Sequence, residues 1–159
     1  MREILLKGNK TVLVDNEDYD MLIQHHWFAT KKGYVCGIIR TPSVKMVLMH
    51  RIIMAPPKGV TIDHINGNPL DNRKCNLRIC THAENSRNKG KPKNNTSGYK
   101  GVGVAWNYKF IASIGVNGKT IALGCSFETA EDAARAYNEA ALKYHGEFAR
   151  LNEIPQNKP

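Results

Sequence analysis

Apolar and polar residues alternate in short bursts along the first third of the chain, and each burst is closed by Gly, Asn or Pro. Residues 3–6 and 11–14 read as β-segments around the turn-forming run Lys7-Gly8-Asn9-Lys10, and residues 34–40 and 44–49 as strands joined by Thr41-Pro42-Ser43. Between these pairs, residues 15–25 suit a short helix closed by His25-His26-Trp27. Residues 46–57 carry the chain onward with His50-Arg51 on the first turn or strand, where His50 reads as structural. Leu77–Cys80 is a brief strand, and Thr81 followed three residues later by Glu84 is a capping box. A helix should therefore start at His82 and hold Asn85 in its first turn.

The pattern breaks at residues 90–97, where no side chain is apolar. A stretch with nothing to bury reads as an extended basic linker and predicts a domain boundary. Beyond it, residues 99–106, 109–116 and 119–125 read as three strands, with Asn107-Tyr108 and Asn117-Gly118 as turns; Asn-Gly is a strong two-residue hairpin signal. Thr129 is a fitting N-cap, and Glu131-Asp132 suit the positive end of the helix dipole. The helix should run over residues 130–144 and stop at Gly146, turning Ala133, Ala136, Tyr137, Ala140, Ala141 and Tyr144 inward. So many alanines let a helix lie close on a sheet.

Composition narrows this α+β picture without changing it. A chain of 159 residues that is 42% hydrophobic is one domain or two small ones. No apolar run approaches the ~20 residues of a membrane helix, and Met1-Arg2-Glu3 leads into no secretory signal. The expected setting is the cytoplasm of a bacterial or phage-infected cell, with no membrane partner. Cys36, Cys75, Cys80 and Cys125 include no Cys-x-x-Cys pair, so they read as reduced thiols. Cys75, Cys80 and His82 lack the paired cysteines usual for structural zinc, and no zinc is expected.

Charge points to a partner. The formal net charge is +9, and residues 73–100 carry eight basic residues against the single acid Glu84. Lysines and arginines that neutralise phosphates release counterions, so a polyanion is the natural ligand of such a stretch. A charge run alone is more often a solvated linker. Here it lies beside the densest cluster of chemistry in the chain.

That cluster is Asp63-His64-Ile65-Asn66-Gly67-Asn68, followed by Asn72-Arg73, Asn76-Leu77-Arg78 and Thr81-His82-Ala83-Glu84-Asn85. It places an acidic ligand beside an imidazole, then a turn-rich loop, a strand and a capped helix that returns one more polar side chain. Asp63 and Asn85 could converge on one hard cation. Magnesium suits such a site because it keeps several waters and needs few protein ligands. His64, ordinarily titrating near pH 6.5, fits a general base at neutral pH. Each piece alone has an ordinary explanation: Asn-Gly is usually only a turn, and an Asn on a helix is usually solvated.

The spacing of 12 residues from His64 to Asn76 and 9 from Asn76 to Asn85 closely resembles the HNH nuclease motif. The resembling run extends from Met49-His50-Arg51-Ile52-Ile53 through Asn88. It implies a two-stranded hairpin and helix around one metal, with Asp63 and Asn85 as ligands, His64 activating water, and Asn76 orienting His64 through the loop backbone. Asn rather than His at the last position resembles the phage and intron-encoded homing branch, in which a module like residues 1–48 precedes the motif. The job of that module is not legible in its residues.

Residues 97–152 resemble the APETALA2 or ethylene-response-factor type of DNA-binding domain. The likeness is carried by Ser97-Gly98-Tyr99-Lys100-Gly101-Val102, Lys109-Phe110-Ile111-Ala112, Leu123-Gly124, Phe127, the run from Thr129 to Tyr137, and Ala149-Arg150-Leu151-Asn152. It implies a three-stranded sheet lying in the major groove. Gly103 and Ala105 stand where such domains often have Arg, which leaves Lys100, Trp106, Asn107, Tyr108, Lys109, Ser113 and Lys119 as contacts and weakens base readout.

Together these imply a β-rich N-terminal module leading into a ββα-metal HNH nuclease (residues 1–89, motif 49–89), a basic linker (90–97), an APETALA2-like domain of three antiparallel strands on one helix (98–152) and a tail (153–159). The expected activity is metal-dependent hydrolysis of double-stranded DNA by a monomer, with magnesium, or alternatively manganese, and no small-molecule cofactor. Arg73, Arg78, Arg87, Lys89, Lys91 and Lys93 are expected on DNA phosphates, with Lys100, Trp106, Lys109 and Lys119 contacting DNA from the sheet. The competing readings are a non-catalytic DNA-binding regulator that keeps a nuclease fold and a charge-driven RNA-binding protein.

Overall fold

The structure is a computed structural model and describes residues 1–40, 44–105 and 108–155. It is a mixed α+β chain in two compact units, the first Met1–Asn85 and the second from Ser86 onward. No helix of the described residues is long and apolar enough to cross a membrane.

In the first unit, β1 (Arg2–Leu5) and β2 (Thr11–Val14) form an antiparallel hairpin, turned by Gly8 and Asn9 with φ of 98° and 59°. Helix α1 (Asn16–Leu22) follows, then β3 (Trp27–Ala29), β4 (Val35–Arg40) and β5 (Val44–Leu48) in an antiparallel sheet of that order. Trp27 does not close a helix as expected; it opens β3. Its buried indole donates Nε1–H to the Leu22 carbonyl at 2.7 Å, so the end of α1 is satisfied by a side chain from the next strand. Helix α2 (Met49–Met54) ends at Ala55 in the left-handed conformation, and Pro56-Pro57 stop it from continuing.

The hairpin of β6 (Thr61–His64) and β7 (Leu77–Cys80) then leads into α3 (His82–Asn88). The capping box forms as the sequence predicts: Thr81 Oγ1 accepts from the Glu84 amide at 3.2 Å, and Glu84 Oε2 accepts from the Thr81 amide at 2.7 Å. Val12, Val14, Leu22, Trp27, Met49 and Ile53 share one core with Ile62 and Leu77. The N-terminal residues are thus the floor on which the β6–β7 hairpin rests.

The second unit begins inside α3. Residues 90–97, although free of apolar side chains, are tied to the sheet by hydrogen bonds: Ser97 Oγ donates to the Val102 carbonyl at 2.8 Å and Asn95 Nδ2 to the Tyr99 carbonyl at 2.9 Å. The strands β8 (Val102–Val104), β9 (Phe110–Val116) and β10 (Lys119–Phe127) pair antiparallel in the order β10-β9-β8. Asn117 and Gly118, both at positive φ (50° and 77°), make the two-residue turn their sequence calls for. Helix α4 (Ala130–His145) starts at Thr129, whose side chain accepts from the Asp132 amide, and buries Ala133, Ala134, Tyr137, Ala140, Ala141 and His145 against the sheet. Tyr144, expected inward, is exposed, because its neighbour His145 takes the inward place and its Nε2 pairs with the Gly115 carbonyl at 2.8 Å. Gly101 shows how close the packing is: a Cβ there would stand 2.0 Å from Tyr137 Cδ2, and its φ is +76°.

Candidate active site

Strand β6 delivers Asp63 and His64 side by side, 5% and 4% exposed, with Asp63 paired to Arg78 and His64 to Leu77 across the hairpin. Between the strands runs a loop that closes on itself. Asn76 spans it: Oδ1 accepts from the Asn66 amide at 3.0 Å and Nδ2 donates to the Asp71 carbonyl at 2.8 Å, while its own carbonyl takes the Ile65 amide at 2.9 Å. Asn76 therefore fixes the backbone that leaves His64.

Asp71 is the loop's second anchor. It is 2% exposed and receives Asn66 Nδ2 at 3.0 Å and Arg73 Nε and Nη2, each at 2.7 Å. The Arg73 guanidinium holds the Asp71 carboxyl below the usual carboxylate range. Strand β2 latches the same loop, since the Leu13 amide donates to the Leu70 carbonyl and the Asn72 amide to the Leu13 carbonyl, both at 2.8 Å. Asp15 Oδ2 accepts from the Lys74 amide at 2.7 Å, and the Lys74 ammonium pairs with Glu17 and Asp18. The N-terminal module holds the site loop from outside.

His64 Nε2 lies 3.4 Å from Asn72 Oδ1. Asn72 is fully buried and gives its Nδ2–H to the Pro69 carbonyl at 3.0 Å, which aims its oxygen at the ring. An acceptor there favours the proton on Nε2 and leaves the lone pair of the neutral ring on Nδ1. His50 stands edge-on to His64 at 5.2 Å between centroids, and Tyr34 flanks it at 6.0 Å. Burial lowers the pKa of His64 from 6.5, against the smaller opposing effects of Asn72, Asp63 and Asp71. Burial, then His64 and Arg51, bring His50 down to about 4. Both rings are therefore neutral at pH 7, which is the form a proton acceptor needs.

Asn85 stands half-buried in the first turn of α3, where the sequence puts it. Cys80, at the end of β7, is buried. Burial raises its thiol pKa, and the Asp63 charge adds to that. The oxygens on offer are one carboxylate and one side-chain amide, which suit a hard divalent cation completed by water and phosphate. Among the described residues no group of three His, Cys, Asp or Glu gathers for a metal. Arg78 donates Nε and Nη2 to Asp63 Oδ2 at 3.0 and 2.7 Å, so the surroundings of Asp63 already accommodate a positive charge.

The expected DNA contacts fall into two groups. Arg73 and Arg78 are engaged with the buried carboxylates of Asp71 and Asp63. Lys89, Lys91, Lys93 and Lys119 are exposed, Arg87 is half-buried, and Lys109 pairs with Glu128. The Lys100 ammonium donates to the Arg87 carbonyl, and desolvation, with Arg150 nearby, lowers its pKa to about 8. Trp106, like Asn107, lies outside the described residues. The sheet face away from α4 carries Gly103 against Ile111, Ala122 against Ser113 and Thr120 against Gly115, and no cation among them. Sequence reasoning missed the parts of His50, Tyr34 and the Asn72 oxygen. The run Met49-His50-Arg51 is the one local signal for His50, while Tyr34 stands just before β4, its carbonyl accepting from the Thr30 amide at 2.8 Å, and leaves no local trace.

Residues 47–87 match the family model described as HNH endonuclease. A protein of Acanthamoeba polyphaga mimivirus, named as an uncharacterized HNH endonuclease, is 30% identical over 158 residues, covering 95% of this chain and 80% of its own length. Protein 3.8 of Escherichia phage T7 is 56% identical over 46 residues, 29% of this chain and 38% of that one. An ethylene-responsive transcription factor of Medicago truncatula is 31% identical over 86 residues, 54% of this chain and 32% of that one. No solved structure matches the chain.

Proposed function

The chain belongs to the HNH endonuclease family, and from that premise we propose that it hydrolyses phosphodiester bonds of double-stranded DNA with one divalent cation, magnesium by preference, held at Asp63 and Asn85. The observation that carries this reading is the buried pair at the end of β6: a carboxylate next to a neutral imidazole whose Nε2 faces the Asn72 oxygen. The bound ion would neutralise charge developing on the scissile phosphate and the leaving 3′-oxygen.

The protein's own groups do the rest. His64 accepts the proton of the attacking water at Nδ1 as the water oxygen bonds to phosphorus and the bond to the 3′-oxygen breaks. Asn72 holds the ring so that this nitrogen carries the lone pair, and Asn76 and Asp71 keep the loop from shifting. An error of about 1 Å in such a group costs on the order of a hundredfold in rate. Arg87, Lys89, Lys91 and Lys93 supply phosphate contacts. The second unit acts as an APETALA2-like DNA-binding domain, supported by its sheet-on-helix architecture and the partial likeness to the plant factor.

The test is incubation of the full-length protein with supercoiled plasmid, in magnesium and then in EDTA. Nicked or linear product in magnesium, and none in EDTA, is expected. Undiminished cleavage in EDTA would remove the ion from this mechanism.

A further inference from the structure

The contact between Arg78 and Asp63 poses a problem that the reaction must solve. The two residues are paired across β6 and β7, so the register itself sets the guanidinium on the carboxylate. Arg78 grips one oxygen, Asp63 Oδ2, with both Nε and Nη2, and the side chains are only 13% and 6% exposed. A carboxylate this enclosed needs a cationic partner, because an unpaired buried charge is strongly destabilising. Arg78 is such a partner, in the place where the proposed ion has to bind.

We propose that Arg78 and the divalent cation exchange on Asp63. In the DNA-free protein Arg78 holds the carboxylate. When DNA arrives the guanidinium transfers to a phosphate beside the cut, and Asp63 turns to the ion. This rests on the assignment of Asp63 as a metal ligand.

Charge and geometry support the exchange. Asp63 with Arg78 is a neutral pair, so a divalent ion entering it alone meets one positive charge without a matching negative one. A phosphodiester brings the missing anion. The planar fork of arginine pairs with phosphate as well as with carboxylate, so Arg78 loses little by changing partners. The strand that carries Arg78 also leads directly into α3 and Asn85, so both groups that meet the phosphate and the ion move from one short segment. The exchange makes ion and DNA binding mutually dependent. By linkage, each then tightens the other by the same factor.

The experiment measures manganese binding to the full-length protein without DNA, by loss of the free-manganese EPR signal, for wild type, Arg78→Gln and the double variant Asp63→Ala/Arg78→Gln. The exchange predicts that Arg78→Gln binds manganese roughly tenfold tighter than wild type, within the usual range of coupling between sites. Equal or weaker binding by Arg78→Gln overturns the exchange. If the double variant Asp63→Ala/Arg78→Gln binds as tightly as Arg78→Gln, the ligand assignment itself falls, and the two failures are thereby told apart. Should Arg78→Gln fail to fold, the Arg78 Nε–H resonance of arginine-labelled wild type answers the same question. It should shift when magnesium and a short duplex are added together, and an unchanged resonance overturns the proposal.

Discussion

Among the described residues, the first unit sets three small antiparallel sheets against its helices and the second sets one against α4, and the two differ in what they bury. In the first, Asp18, His50, Asp63, His64, Asp71, Asn72 and Asn76 are buried polar or charged residues; in the second the described residues bury only Asn88 and His145 in that class. The second unit fills its interior with Ala112, Ala133, Ala134, Ala140, Ala141, Ile114 and Tyr137. Burying a polar group without its hydrogen bonds costs on the order of 1–3 kcal/mol, so a polar interior is tolerable only as a closed network. The first unit meets this demand around His64 with the loop from Ile65 to Asn76 and with β2, and bears the cost at Asp18 Oδ2, Thr30 Oγ1 and His50 Nδ1, which have no hydrogen-bond partner among the described residues. The first unit is thus set apart by a largely hydrogen-bonded polar interior, the second by an apolar one.

Replacing the base should produce the largest separation between the units. His64→Ala is expected to lower the cleavage rate by roughly a hundredfold to ten-thousandfold, the range of general acid-base groups, while DNA affinity stays nearly the same. Plasmid nicking together with a gel shift in EDTA measures both. Nicking at the wild-type rate would remove His64 from the chemistry and with it the contrast.

The converse substitution is Gly101→Ala. Its Cβ would enter the Tyr137 ring at 2.0 Å, and its φ of +76° is unfavourable for alanine. A loss of about 2–4 kcal/mol in stability of the second unit is expected, with the first unit's hydrogen-exchange protection unchanged. Slowly exchanging α4 amides in the variant would show that the close approach of sheet and helix is not what holds this unit together.

Acid should act on the first unit through His50. Its pKa of about 4 in the folded chain lies below its ordinary 6.5, so between those values the unfolded chain binds more protons. Stability is then fullest above pH 6.5 and falls as the pH drops through about 4. Urea midpoints from pH 7.5 to 4.5 should slope for wild type and flatten in His50→Phe. Parallel curves would mean that the buried imidazole is not the acid-sensitive group.

These residues also show where the sequence was informative. The capping box at Thr81 and Glu84 and the turn at Asn117-Gly118 are local: the partners lie within three residues, so their chemistry is readable in a short window. The motif spacing around His64 and Asn76 is regular for a related reason, since one hairpin fixes it. The Leu13 latch on Leu70 and Asn72 joins residues more than fifty positions apart and leaves no pattern in either segment. The same holds for His50 and Tyr34 beside His64, whose meeting depends on how α2 and β4 share a core. Residues 90–97 have no apolar side chain to bury, and Asn95 and Ser97 anchor them instead through hydrogen bonds, which leave no mark in a hydropathy pattern.

The smallest effect tests the proposal that the second unit binds DNA. Its free sheet face presents Gly103, Ile111, Ser113, Gly115, Thr120 and Ala122, which offer few donors for base edges, while Lys119 sits exposed at the start of β10. Binding there should come from lysine on phosphate, which is blind to sequence and sensitive to salt. Lys119→Ala should therefore weaken DNA binding a fewfold, equally on unrelated duplexes, and reduce the slope of log K against log salt by about 0.9. In the first unit the same kind of substitution at Arg73 strips Asp71 of its partner and changes the site's shape, so its effect should appear in the cleavage rate rather than in the salt slope. Binding of wild type and both variants to two duplexes at several salt concentrations separates these outcomes. If Lys119→Ala weakens one duplex and spares the other with the salt slope unchanged, this unit reads sequence through that edge, and the picture of a carrier that only follows the backbone gives way.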